Sequence, residues 1–285
     1  KIESSSSAIL GGYENIICVS SGGSARTDTT PITNDAHTLV GGKKNCIFGA
    51  NASFIGGGFA NRVGQTATSG SNYSFIGAGR ENTILGDGYS NILGGRNNNI
   101  TNTYSTIVGG RNGTLTNIFS VILGGSGNRS QATHSMIGPA INSIIDVNCD
   151  LSIIGGGYTN SIVGNGIYSN ILNGYQNRIQ INDTVGNLNT IINGNRNEIR
   201  DANPTTANYC TIGNGLRNTI TGSYHATILA GQDNVIAGAN QSAIVNGFSN
   251  SIVHANSVVL GGSNFSSQAS SSTNIAGRLF IKTVP

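Results

Sequence analysis

One eleven-residue pattern returns, most often every 15 or 16 residues, along nearly the whole chain, and it restricts the fold more than any other feature of the sequence. Ser7-Ala-Ile-Leu-Gly-Gly-Tyr-Glu-Asn-Ile-Ile17 recurs as Ser90-Asn-Ile-Leu-Gly-Gly-Arg-Asn-Asn-Asn-Ile100, and again from Ser152 to Ile162 and from Ser169 to Ile179. Copies begin at Ser7, His37, Ser53, Ser74, Ser90, Ser105, Ser120, Ser135, Ser152, Ser169, Asn189, Cys210, Ala226, Ser242 and Ser257. The period is too short for a helical hairpin or a propeller blade. It fits one coil of a solenoid with two short strands and two turns, so the expected fold is an all-β, parallel β-solenoid of about 15 coils.

Each position of the pattern has a physical reason. Alternate strand residues share a face, so the first and third positions (Ser and Ile) point together, and inward. The eleventh position, again Ile or a close relative, meets the third across a thin core. The sixth position is Gly in every copy but one, where Ala140 stands, which marks a close backbone approach or a positive φ. The fifth is mostly Gly or Asn, the residues that best accept left-handed geometry. The ninth is mostly Asn, able to bond its own turn and to form amide ladders between stacked coils. Insertions around 18–36, 64–73, 146–151, 180–188 and 200–209 fall at one corner of the coil, a place where repeat proteins often bind.

Composition narrows the function classes. Charged residues make up only 9% of the chain, against about 25% in ordinary domains, so amides and hydroxyls must solvate the surface. A net charge of +3 with scattered basic residues gives no nucleic-acid footprint, and no apolar run is long enough for a membrane helix. Cys18, Cys46, Cys149 and Cys210 lack metal-ligand spacing, and the four histidines are dispersed, so neither a metal nor a cofactor is expected. The chain begins at Lys1, shows no signal peptide, and reads as a piece of something longer. Asp146 and Asp150 are the one plausible carboxylate pair, and no cleft-forming catalytic set can be recognised, so an enzyme is not expected.

The two strands of the coil differ on the outside. The first carries apolar residues on its outer face at the fourth position and at the residue just before the repeat. These are Tyr73, Tyr89, Leu93, Tyr104, Val108, Phe119, Leu123, Tyr168, Leu172 and Tyr209. The second carries Arg62, Thr83, Arg129, Arg178 and Glu198. A strand apolar on both faces is buried on both sides. The first-strand walls of several copies are therefore expected to pack together, most simply as a homotrimer; cover by the insertion loops is the alternative.

The S-x-I-x-G-G-x-x-N-x-I units resemble the head repeats of trimeric autotransporter adhesins of the YadA type, and similar repeats occur in phage and large-virus tail fibres. The resemblance covers Ser7 to about Ser267. It implies a left-handed β-roll, trimerised along its axis, on a virion tail fibre or a bacterial cell surface. The repeats here are longer and richer in Asn than the adhesin repeats, and no position matches a defined ligand motif.

Residues 1–267 are thus expected to form the repeat domain and 268–285 a C-terminal cap or connector. The expected role is a structural fibre or adhesin segment that attaches to a host or surface through many glycan or receptor contacts. The alternatives are a glycan-depolymerising tail spike and a purely structural filament. Ligand-binding candidates lie at the seventh position: Arg80, Arg96 and Arg111 on consecutive coils for an acidic glycan or phosphate, with Glu81 as a possible internal partner, and Tyr158 and Tyr175 for a sugar.

Overall fold

The computed structural model describes residues 2–3, 7–18, 36–48, 52–64, 73–86, 88–182, 188–202 and 207–274. The expected closing strand at Leu279, Phe280, Ile281 and Val284 lies outside them, as do most residues of three of the five insertions. All regular elements among the described residues are strands, and the strands pair in parallel. The chain forms two compact units, Lys1–Asn142 and Ser143–Pro285, each a parallel β-solenoid.

In unit 1 the first wall stacks Ala8–Ile9, Thr38–Leu39, Phe54–Ile55, Phe75–Ile76, Asn91–Ile92, Thr106–Ile107, Val121–Ile122 and Met136–Ile137. The second wall runs from Ile2–Glu3 through strands such as Thr83–Ile84 and Asn99–Ile100 to Arg129–Ser130. In unit 2 the first wall runs from Ile153–Ile154 through Asn170–Ile171 and Thr190–Ile191 to Thr273–Asn274, so pairing continues beyond residue 267. Its second wall contains the longer strands Ser161–Gly164 and Arg178–Ile181.

Register is exact in repeat position: Asn91 pairs with Thr106 and Ile92 with Ile107, and in unit 2 Ile171 pairs with Ile191. Like therefore stacks on like. The third-position side chains (Ile55, Ile76, Ile92, Ile107) and the eleventh-position ones (Ile47, Ile84, Ile100, Leu115) are fully buried and form the thin core. Burying each contributes roughly 1.5–3 kcal/mol. The first-position serines are buried beside them. Ser105 accepts from the Ser120 backbone N–H (3.3 Å) while its own hydroxyl donates to the Asn117 carbonyl (2.9 Å).

The ninth-position asparagines close the turn as expected. The Asn98 side-chain amide donates to the carbonyls of Gly94 in its own coil and Gly110 in the next, both at 3.1 Å, and its Oδ1 accepts from the Gly113 N–H at 2.9 Å. This close approach of coils favours glycine at the sixth position, where Ala140 is the one exception. At Gly95, φ is +95°, and a Cβ would sit 2.2 Å from the Gly110 carbonyl oxygen.

Two expectations are corrected. The fifth position is not left-handed: a Cβ at Gly94 or Gly109 would meet nothing within 4 Å. The left-handed residues are the sixth, the eighth (including Glu81, Asn97 and Asn112 at φ 55–57°) and the residue just before the repeat. The coil also has more than two hydrogen-bonded stretches. The seventh position forms its own parallel ladder, Phe59–Arg80–Arg96–Arg111–Ser126 in unit 1 and Tyr158–Tyr175–Asn195–Leu216 in unit 2. Backbone pairing therefore continues through the turn, and it holds the seventh-position side chains in register.

Candidate functional site

In-register stacking turns every outward position of the repeat into a column about 4.8 Å per step. The candidate sites are therefore columns rather than clefts. Two stand out: the exterior of the first wall and the turn edge.

On the first wall of unit 1, the residues just before the repeat form an unbroken stack of rings. Centroids are 5.1 Å apart for Tyr73–Tyr89, Tyr89–Tyr104 and Tyr104–Phe119, and 4.8 Å for Phe119–His134, with interplanar angles of 3–21°. Each ring sits on left-handed backbone, φ +52 to +55°. A non-glycine residue there costs about 1–2 kcal/mol. Part of that cost is offset by a hydrogen bond to the coil before, as from the Tyr104 N–H to the Gly88 carbonyl (3.2 Å). The rings remain about half exposed (Tyr89 50%, Tyr104 50%), and so does the fourth-position column beside them (Leu93 48%, Val108 40%, Leu123 42%). The expected interface residues are thus brought together on one outward face within the unit.

In unit 2 the same column is broken. It reads Leu151, Tyr168, Leu188, Tyr209 and His225, with ring stacking at Tyr209–His225 (4.9 Å) and Tyr224 edge-on to both. Tyr168, Leu172 and Tyr209 are exposed, as are Ile192 and Leu229.

The ring stacks limit how a sugar can bind. Rings this close and this parallel cover one another's faces, so the column offers edges and hydroxyls. A carbohydrate that packs on an open ring face finds none inside the stack. The Tyr158–Tyr175 pair is built the same way, at 5.2 Å and 5°. Each ring covers one face of the other, and the pair is 41% and 40% exposed.

The turn edge of unit 1 is cationic. Arg80, Arg96 and Arg111 lie on adjacent rungs of one ladder. Glu81 sits beside two of them, 3.1 Å from Arg80 Nε and 3.7 Å from Arg96 Nε, while Arg111 reaches the Ser126 hydroxyl at 3.5 Å. Arg80 also lies over the Phe59 ring (5.4 Å), and Lys43 over the Tyr13 ring (5.1 Å). In the eighth-position column alongside, the Asn97 amide donates to Asn112 Oδ1 at 2.8 Å.

The turn edge of unit 2 is close to neutral and internally paired. Arg196 donates to Gln176 Oε1 (2.8 Å), and Arg217 donates twice to Asp233, at 2.6 and 2.7 Å. The Arg217 hydrogen bond holds the Asp233 carboxyl below the usual carboxylate range.

Cys149 and Cys210 are buried, and burial pushes their thiols up from 9.0 to about 11 and about 12. They are packing residues in the sense that the thiolate is strongly disfavoured. Cys149 and Cys210 form no disulfide. Among the described residues, no three His, Cys, Asp or Glu side chains group so as to hold a metal ion, and no helix is long and apolar enough to cross a membrane. The chain matches no protein-family model and no curated protein, so its columns of stacked side chains carry the functional reading.

Proposed function

We propose that this chain is a segment of a surface fibre or adhesin, assembled from copies of itself through the first-wall exteriors and attaching to glycans or receptors through its remaining outer columns. The observation that carries the reading is the unbroken, half-exposed ring stack from Tyr73 to His134 on left-handed backbone. Glycine or asparagine would serve the fold better at these positions. Mutual ring stacking offsets that backbone cost, yet the aromatics leave a half-exposed apolar face on the single chain, and this supports a use outside it.

The area is of the right size. A half-exposed aromatic leaves on the order of 100 Å² open, half of what its full burial would remove. Four such rings together with the Leu93, Val108 and Leu123 column give several hundred Å² in unit 1 alone. That matches or exceeds the roughly 300–600 Å² of the largest patch on a typical monomer and approaches the about 800 Å² each partner gives to a standard interface. A closed three-chain arrangement turns one wall of each chain inward, as a two-fold pair also would, and the repeat's resemblance favours three. The repeat's resemblance to adhesin heads and tail fibres supports the same reading, and with it a location outside the cell or on a virion. Attachment through rows of identical shallow contacts gains strength from multivalency rather than from any one pocket.

The test is the mass of the purified chain in solution, by light scattering or sedimentation, followed by adhesion to arrayed glycans and to host cells. A mass of three chains with adhesion is the expected result. A monomer at micromolar concentration, or release of reducing sugar from a host polysaccharide, would overturn the reading.

A further inference from the structure

The three stacked arginines on the turn edge of unit 1 have a charge problem that the chain leaves half solved. Like charges about 4.8 Å apart repel by roughly 1 kcal/mol even in water, and like charges directly opposite one another in a sheet are destabilising. Glu81 stands beside Arg80 and Arg96, and Arg111 has a hydroxyl as its nearest partner. Over the seventh and eighth positions of unit 1, five cations (Lys43, Lys44, Arg80, Arg96 and Arg111) face two carboxylates, Glu14 and Glu81. The fold does not require this. Ser126 occupies the same ladder one rung on, and Ser263 the equivalent place in unit 2.

We infer that the strip formed by Arg80, Arg96 and Arg111 with Asn97 and Asn112 binds a linear acidic polysaccharide. The guanidiniums repeat at a spacing close to the rise of one sugar ring in an extended chain, so successive rungs can each meet a carboxylate or sulfate. The exposed amides of Asn97 and Asn112 run parallel to them, one residue along, where they can bond ring hydroxyls. A nucleic acid fits less well. Single strands gain affinity by stacking bases on open aromatic faces, and the rings of this edge, Tyr13 and Phe59, already carry Lys43 and Arg80 over theirs. The inference rests on the attachment reading above and gives it a ligand class.

The probe is a size-defined heparin-derived oligosaccharide, titrated by fluorescence anisotropy against the intact chain, with desulfated oligosaccharide, neutral dextran and single-stranded DNA of equal charge as comparisons. Replacing Arg80, Arg96 and Arg111 together by serine should leave the melting curve intact, since serine occurs naturally in this ladder. It should weaken binding roughly tenfold or more and flatten its salt dependence. Glu81→Gln should tighten binding several-fold by freeing two guanidiniums. Unchanged affinity in the triple variant, weaker binding by Glu81→Gln, equal binding of neutral dextran, or tighter binding of the DNA would each overturn the inference. Adhesion to cells or arrayed glycans without any oligosaccharide binding would overturn it while leaving the attachment reading in place. Oligosaccharide binding without any adhesion would do the reverse.

Discussion

The first and second walls of each coil are alike inside and unlike outside. Inward, Ile92 and Ile107 on one wall and Ile84 and Ile100 on the other are equally buried and stack on their own kind. Outward, the first wall of unit 1 shows Tyr89, Leu93, Tyr104 and Val108, while the second shows Arg62, Thr83, Thr114 and Arg129. The coil closes with either exterior, because its stability comes from the inner faces and from the Asn, Ser and backbone ladders of the turns. Aromatic and aliphatic columns that flank the outward Asn91 and Thr106 of one wall, and have no counterpart on the second, are therefore not a requirement of the single-chain fold. They are where the chain can be shaped for contact with something else.

The comparison can be broken first at its interior half. Ile107→Ala and Ile100→Ala should each cost about 3 kcal/mol in a urea titration, within error of each other. A large difference would mean the walls are not equivalent inside. Next comes the turn that joins them. Asn98→Ala removes two donated bonds and one accepted one from a buried site, and should cost roughly 2–3 kcal/mol.

The exterior half is sharpened by Tyr89→Asn with Tyr104→Asn. Asn suits left-handed backbone, so the gain there and the loss of ring stacking nearly cancel, and single-chain stability should change by less than about 1 kcal/mol. The solution mass should nevertheless fall to that of one chain. Thr83→Ser with Thr114→Ser on the second wall should leave mass and stability unchanged. An unchanged mass in the tyrosine variant would remove the functional meaning given to the first-wall exterior.

The smallest effect is in pH dependence. The Cys149 and Cys210 thiols have folded values raised above the ordinary 9.0, to about 11 and about 12. Their contribution to stability is therefore complete below pH 9 and is lost as pH rises from about 9 through those values. Between pH 6 and 8 they should add no slope to the melting temperature, and iodoacetamide at pH 8 should leave both unlabelled until the chain unfolds. Rapid labelling of the native chain would show that these sites open locally.

Much of the fold was legible because its determinants repeat as residue types. Ser and Ile at alternate positions announce an inward strand face, Gly a backbone contact, and Asn a turn ladder. The left-handed eighth position was not legible. Glu, Lys, Ala, Asn, Thr, Gln, Arg, Asp and Ser all occupy it. Its conformation is held by a bond that exists only between coils, from the Asn97 N–H to the Arg80 carbonyl (2.8 Å) and from the Asn112 N–H to the Arg96 carbonyl (3.0 Å). A constraint carried by backbone atoms leaves little trace in side-chain identity.

The candidate site divides in the same way. By sequence alone, Arg80, Arg96 and Arg111 share a repeat position, Tyr89 and Tyr104 another, and in-register stacking follows from the period. Only the tertiary structure decided that Glu81 serves two of the arginines, that the tyrosine rings cover each other's faces, and that pairing runs through the turn to hold these columns in line. Periodicity specifies which residues become neighbours, because each coil repeats the last. How those neighbours share charge, ring faces and hydrogen bonds depends on distances of a few ångströms between coils, and those are fixed when the coils stack.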